Sequence, residues 1–331
     1  MDMKVTVVGS GSWGTAIANI FADAGSDTLL WGRDTETVRS IQNQSENSKY
    51  LKGYKLNSQL KATTDLDAAL EHADWVVCSI PTQKIRQVLA PVSDRLNGKT
   101  IINTSKGLEM GTHMRVSQIF GSFCPDSPYA MLSGPSFAQE VVERQPTAVT
   151  LASADKTLAE RIQKKTAAPY FRSYTTVDTV GVELAGALKN VVALATGIVR
   201  GTKLGYNAQA AVITRGLAEI VRMGKKLGAD PATFQGLAGM GDLVLTCTGP
   251  LSRNLRAGMF IGAGKPLDEI VQALGGVAEG IYTAQSAFEL ATAQGIEMPI
   301  LAEIHSILYE GKTPQKALAS LMGRDLREET E

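Results

Sequence analysis

The sequence is short of cysteine, of surplus charge and of long apolar runs, and each shortage removes a class of protein. Cys78, Cys124 and Cys247 are its three cysteines among 331 residues. Widely spaced and odd in number, they exclude a closed disulfide framework and show no zinc-ligand spacing. A reducing, cytoplasmic setting and no metal are expected. Lys plus Arg and Asp plus Glu number 33 each, so the chain as a whole has no electrostatic reason to bind nucleic acid or an anionic membrane. A small anionic substrate stays open, because it needs only a local basic pocket. The longest apolar run, Val191 to Val199, is too short to cross about 30 Å of hydrocarbon at about 1.5 Å per residue. The start, Met-Asp-Met-Lys, enters a strand with no basic n-region, apolar h-region or cleavage site, so neither export nor membrane insertion is expected. The triplets Asn43-Gln44-Ser45 and Asn103-Thr104-Ser105 then count as chance matches to a glycosylation signal.

No long linker or internal repeat interrupts the chain, and its length fits about two domains at roughly 150 residues each. The first half alternates β-branched runs with amphipathic segments, the pattern of a mostly parallel sheet with helices on both faces. Strands are predicted at Lys4–Val8, Thr28–Trp31, Trp75–Ser79, Lys99–Asn103 and Tyr129–Leu132, with a further pair at Thr147–Leu151 and Tyr170–Thr175 around a helix at Lys156–Lys165. Between Ser45 and Thr64 the pattern fades into polar residues and reads as a surface excursion. From about Thr179 the β-branched runs vanish, and Ala, Leu and Gly recur at helical spacing. The expectation is an α/β domain over 1–178 and an all-α domain over 179–331, packed directly, with a site in the cleft between them.

The strand Val5-Thr6-Val7-Val8 runs into Gly9-x-Gly11-x-x-Gly14 and then into an apolar helix beginning near Thr15. A glycine motif alone is weak, but strand, loop and helix in this order form the dinucleotide fingerprint of a Rossmann-like βαβ unit. Gly9 permits the tight turn, Gly11 lets backbone approach a pyrophosphate, and Gly14 allows close packing of helix on strand. Unpaired N–H groups at the helix start then face the dianion. The second strand ends at Gly32-Arg33-Asp34. The guanidinium of Arg33 suits a 2′-phosphate and favours NADPH, whereas Asp34 keeps NADH open through the ribose 2′-hydroxyl. Arg33 as an ordinary surface residue is the plain alternative.

The stretch GVELAGALKNVVALATGIVR, from Gly181 to Arg200, is apolar on nearly every side and reads as a buried helix. Lys189 is its only charge between Glu183 and Arg200. A buried ammonium lowers its pKa or finds an anion, and a lysine tuned in this way can protonate a ketone oxygen during reduction. A lysine reaching back to solvent is the bland reading. Asn190 is placed to orient substrate hydroxyls. The glycine-rich Gly236 to Asp242 reads as a ligand-facing loop, with Asp242 either pairing with Lys189, contacting substrate or capping a helix. Ser252-Arg253-Asn254 opens a predicted helix, where N–H groups and a guanidinium make a phosphate site unless Ser252 merely caps it. Lys106, Gly134 and Ser136 follow strand ends, where open α/β sheets bind ligands.

Together GSGSWGTA, Ser79-Ile-Pro81, NTSKGLE, SGPSFAQE, GALKNV, ITRGLAE, GMGDLVLTCTGPLSRN and GGVAEG resemble the bacterial sn-glycerol-3-phosphate dehydrogenases that use NAD(P). The similarity runs from Val5 to the Leu321 region, and GDLVLTC followed by SRN is its most specific part. It implies a Rossmann domain followed by a helical domain, and reduction of glycerone phosphate to glycerol 3-phosphate for phospholipid synthesis. It places the proton acceptor at Lys189. Substrate contacts fall on Lys106, Gly134, Ser136, Asp242, Ser252, Arg253 and Asn254. Cofactor contacts fall on Ser12, Trp13, Arg33, Lys106, Ala138, Arg253, Val277 and Glu279, beside the loop glycines. A homodimer is also implied. Two rivals are a two-domain reductase of another keto or hydroxy acid, such as ketopantoate, and a non-catalytic dinucleotide sensor.

Overall fold

The structure is a computed structural model that describes residues 3–275, 278–326 and 328–329. The N-terminal half is built on an eight-stranded sheet. In chain order its elements are β1 (Lys4–Val8), α1 (Ser12–Asp23), β2 (Asp27–Trp31), α2 (Thr35–Gln44), β3 (Glu46–Asn47), β4 (Leu51–Lys55), β5 (Lys61–Thr63), α3 (Leu66–His72), β6 (Trp75–Cys78), α4 (Ile85–Leu89), α5 (Ser93–Leu96), β7 (Thr100–Asn103), α6 (Val116–Gly121), β8 (Tyr129–Ser133), α7 (Ala138–Val142), β9 (Thr147–Ala152), α8 (Lys156–Thr166) and β10 (Phe171–Thr176). The sheet order is β10-β9-β8-β7-β6-β1-β2-β5. All neighbouring strands pair in parallel except β8 with β9. Strands β1, β6 and β7 are covered on both faces, which is why they read as continuous apolar runs and not as alternating ones.

The excursion between Ser45 and Thr64 is structured, which corrects the sequence reading. Strands β3 and β4 form a small antiparallel pair, and β5 joins β2 as the edge of the main sheet. Strands of two and three residues carry too little pattern to register, and Ala62 is the one buried residue of β5.

The second half holds α9 (Thr179–Gly201), α10 (Tyr206–Lys226), α11 (Asp242–Thr248), α12 (Arg253–Gly262), α13 (Leu267–Leu274), α14 (Glu279–Ala293), α15 (Pro299–Tyr309) and α16 (Pro314–Met322). Its long axis is α9, capped by Asp178, whose side chain accepts from Gly181 N. At 23 residues α9 is long and apolar enough to cross a membrane, yet 94% of its most apolar window is buried inside this fold. The sequence reading weighed only its central run. Helix α12 lies directly on it: a Cβ on Gly197 would come within 2.2 Å of Leu255 O, and one on Gly258 within 2.2 Å of Leu194 O. Glycine at both positions lets the two backbones touch, which fixes the start of α12 beside the middle of α9.

Candidate active site

Lys189 sits in the middle of α9 with 7% of its surface exposed, and Asp242 opens α11 with 2% exposed. The Gly236–Asp242 stretch, expected as a loop, winds as a π-helical turn over Leu237–Gly241 and runs straight into α11. That turn aims the carboxylate inward. Lys189 Nζ lies 2.9 Å from Asp242 Oδ1, and Lys106 Nζ donates to Asp242 Oδ2 at 2.7 Å. One buried carboxylate therefore bridges two ammonium groups, one from each half of the chain. Lys189 also donates to Thr246 Oγ1 at 2.6 Å, and that hydroxyl donates to Asp242 O at 2.6 Å. Thr246 lies four residues after Asp242, one turn along the same face of α11.

Burial dominates the electrostatics of Lys189. Desolvation, helped by the positive charge of Lys106 and opposed by Asp242, brings its pKa down from 10.5 to about 8. Asp242 is likewise penalised by burial, but Lys106 and Lys189 outweigh that and hold its carboxyl below the ordinary value. Near neutrality the cluster carries two positive charges and one negative.

Lys106 follows the end of β7 and also reaches Gly134 O at 3.5 Å. Gly134 has φ +153 and packs so closely on β9 that a Cβ would lie 2.8 Å from Val149 Cα. Ser136 donates to Gly134 O at 3.0 Å, and half-buried Ala138 starts α7. Across from this loop, Ser252 caps α12 by accepting from Leu255 N at 3.2 Å, leaving Arg253 exposed at the helix start. Asn254 Nδ2 donates to Asn190 Oδ1 at 2.9 Å, and its Oδ1 accepts from Gly280 N at 2.9 Å. The oxygen of Asn190, a residue expected to orient substrate hydroxyls, is thus tied to α12. Buried Glu183, near the start of α9, clamps this helix to the sheet. It accepts from Arg115 Nη1 at 2.6 Å, Ser117 N at 2.7 Å and Tyr129 Oη at 2.7 Å.

The glycine loop lies at the carboxyl end of a strand of the same sheet, between β1 and α1. A Cβ on Gly9 would sit 2.6 Å from Ser79 O, and one on Gly14 only 1.8 Å from Gly9 O. One on Gly11 meets nothing within 4 Å. Gly11 caps α1 without a side-chain bond, so the helix start presents backbone N–H groups to open space, the form of a pyrophosphate cradle. Half-buried Ser12 and Trp13 flank it. Two polar atoms beyond it have no hydrogen-bond partner among the described residues: Thr82 Oγ1, after β6, and Glu279 Oε2, at the start of α14. Burial raises the Glu279 carboxyl to about 7, with Arg253 pulling the other way. Such orphaned groups, both beside Gly107, which follows Lys106 in the chain, could serve a polar part of a dinucleotide. At the other end Arg33 is exposed, and Asp34 caps α2 through Thr37 N at 2.8 Å.

Two family models match this chain. The N-terminal region of NAD-dependent glycerol-3-phosphate dehydrogenase matches residues 4–159, and the C-terminal region matches 178–319. The chain belongs to the NAD-dependent glycerol-3-phosphate dehydrogenase family. The NAD(P)+ glycerol-3-phosphate dehydrogenase of Geobacter metallireducens is 48% identical over 333 residues, covering 99% of each chain. That of Thermobifida fusca is 47% identical over 330 residues, covering 98% of each. The crystal structure of glycerol-3-phosphate dehydrogenase from Coxiella burnetii superposes with a TM-score of 0.93 at 38% identity, over 98% of this chain and 99% of that one.

The sequence reading singled out Lys189, Asp242 and Lys106 individually, with a Lys189–Asp242 pair as one of its alternatives, and the structure brings the three together. The sequence reading missed Thr246, whose signal was the four-residue spacing from Asp242, and Thr82, for which Ser79-Ile-Pro81 ending a strand was the only hint. Val277, expected at the cofactor, lies outside the described residues.

Proposed function

We propose that the chain is an NAD(P)-dependent sn-glycerol-3-phosphate dehydrogenase that reduces glycerone phosphate to sn-glycerol 3-phosphate for phospholipid synthesis. The observation that carries this reading is the buried Lys189 ammonium, bridged through Asp242 to Lys106 where the strand ends meet the helical half. The nicotinamide supplies a hydride from its C4 when bound. Lys189 donates its proton to the oxygen that becomes the hydroxyl at C2, and a pKa of about 8 keeps it charged yet able to release that proton near neutrality. Asp242 and Thr246 hold the Nζ in place. Lys106 adds a second positive charge near the developing alkoxide.

Phosphate recognition falls to the start of α12. Exposed Arg253 has its guanidinium available, and Ser252, while accepting from Leu255 N, keeps its hydroxyl proton to donate. Asn254 retains one amide N–H beyond its bond to Asn190. Gly134 and Ser136 form the opposite wall. Gly9, Gly11, Ser12, Trp13, Gly14, Arg33, Ala138 and Glu279 line the cofactor side, with Lys106 and Arg253 shared. NADPH is the favoured form, supported by the free Arg33 and the engaged Asp34. We divide the chain into a dinucleotide domain over 1–178 and a substrate domain over 179–331, since the Asp178 cap begins the central helix there. A cytoplasmic homodimer without metal completes the reading.

The test is oxidation of NADPH and NADH by purified protein with glycerone phosphate, beside ketopantoate and other carbonyls. Lys189→Met should keep cofactor binding and lose roughly 10²–10⁴ in turnover, the usual contribution of a positioned acid. Near-normal turnover in that variant removes Lys189 from the chemistry, and bound cofactor without oxidation in the wild type turns the reading towards a sensor.

A further inference from the structure

The segment after α2 is built against the cofactor loop. Asn47, fully buried, donates from Nδ2 to Ser10 O at 2.9 Å and to Thr15 Oγ1 at 2.8 Å. Ser12 Oγ donates to Tyr50 O at 3.1 Å. Residues 47 to 50 are thereby tied to the residues on either side of Gly11, through the Ser10 carbonyl and the Ser12 hydroxyl. Between these tethers stands Lys49, with Nζ 2.6 Å from Asp34 Oδ2 and 52% of its side chain exposed. The other oxygen of Asp34 accepts from Thr37 N. Both carboxylate oxygens are therefore engaged, and Arg33 beside them pairs with none of the described residues.

The sheet order says what meets this cluster. A dinucleotide crossing the strand ends lays its pyrophosphate over the turn between β1 and α1 and sets a ribose at the end of the neighbouring strand, here β2. An acidic group at that strand end ordinarily accepts from the ribose 2′-hydroxyl and repels a 2′-phosphate. Here the ammonium already occupies the carboxylate, and an exposed ion pair rearranges cheaply when a dianion arrives.

We propose that Lys49 determines cofactor choice: its ammonium masks Asp34 as a 2′-hydroxyl acceptor and joins Arg33 as the second cation for a 2′-phosphate. This inference rests on the dinucleotide reading above. It assigns a function to a segment that composition alone presents as surface.

The experiment compares wild type, Lys49→Met, Asp34→Asn and the double variant by fluorescence titration with NADPH and NADH, and by displacement with 2′,5′-ADP against 5′-ADP. None of these measurements needs turnover. Loss of a charge-assisted contact should weaken NADPH and 2′,5′-ADP about tenfold or more in Lys49→Met while NADH holds or tightens. The double variant should regain part of the NADPH affinity, because the unmasked carboxylate is gone. Equal weakening of both nucleotides, no change in either, or a wild type that does not distinguish 2′,5′-ADP from 5′-ADP overturns the proposal. A protein that discriminates through Lys49 yet oxidises neither nucleotide with glycerone phosphate sinks the proposed activity and leaves this inference standing.

Discussion

Replacing Asp242 by Asn removes one negative charge from between two ammonium groups at almost constant side-chain volume. The carboxylate oxygens lie 2.9 Å from Lys189 Nζ and 2.7 Å from Lys106 Nζ. In the wild type, burial and Lys106 push the Lys189 pKa down, Asp242 pushes it up, and the balance is about 8. Without the carboxylate the two largest remaining influences, burial and Lys106, both act downwards. At pH 7 a group with a pKa of about 8 is ammonium by roughly ten to one. Once its pKa drops below 7, the neutral amine predominates and cannot donate. If Lys189 is the proton donor proposed above, the profile of kcat/KM for ketone reduction should fall on its alkaline side as Lys189 loses its proton. In Asp242→Asn this limb should move downwards from near 8. Each pH unit of movement corresponds to about 1.4 kcal/mol of lost charge interaction.

Stability follows the same balance. Breaking a buried ion pair costs about 3–5 kcal/mol when the stranded charge cannot escape. Lys189 can escape by losing its proton, so the loss should lie below that range at alkaline pH and grow as acid forces the amine to charge. Rate profiles between about pH 6 and pH 9, with denaturant unfolding at both ends, check the two statements together. An alkaline limb that stays near 8, or rises, refutes the claim that Asp242 keeps the proton on Lys189.

Three further outcomes follow from the packing. Gly11→Ala should fold with unchanged stability and lose dinucleotide binding, because its Cβ meets no protein atom within 4 Å and projects into the cradle; Gly14→Ala, 1.8 Å from Gly9 O, should unfold at clearly lower denaturant. Retained binding in Gly11→Ala would count against the cradle. Glu219 on α10 accepts from Ile300 N at 2.6 Å and Leu301 N at 3.1 Å at the start of α15, and burial raises its carboxyl from 4.5 to about 7. The folded state therefore binds more protons than the unfolded state between those values, so this contribution to stability is complete below 4.5 and is lost as pH rises through 7. The loss amounts to roughly 3 kcal/mol. Glu219→Gln cannot titrate and should lack this fall in unfolding free energy, so an identical fall in the variant assigns it elsewhere.

Legibility tracked the length and burial of each element. Strands β1, β6 and β7 were readable because burial on both faces demands unbroken apolar runs. Helix α9 was readable because one lysine in a long apolar segment requires an explanation. The β3 to β5 region was not, since Glu46, Lys52, Lys55 and Lys61 leave no pattern over such short strands. The turn before α11 was misread for a different reason. Glycines in Gly236–Gly241 disfavour a helix by propensity, yet packing against Phe234 and Pro135 holds them in a π-helical turn.

By itself the sequence determined the two kinds of architecture and the glycine loop and singled out Lys189, because these depend on periodicity, backbone permissiveness and the cost of burying charge, while Lys106 and Asp242 stood out by strand-end position, glycine-rich context and family resemblance. Only the tertiary structure decided that one carboxylate lies between both lysines, that Thr246 completes the set and that Lys49 folds back to cover Asp34. Those facts join residues far apart in the chain, and no local pattern records which distant partner a buried or tethered charge will meet.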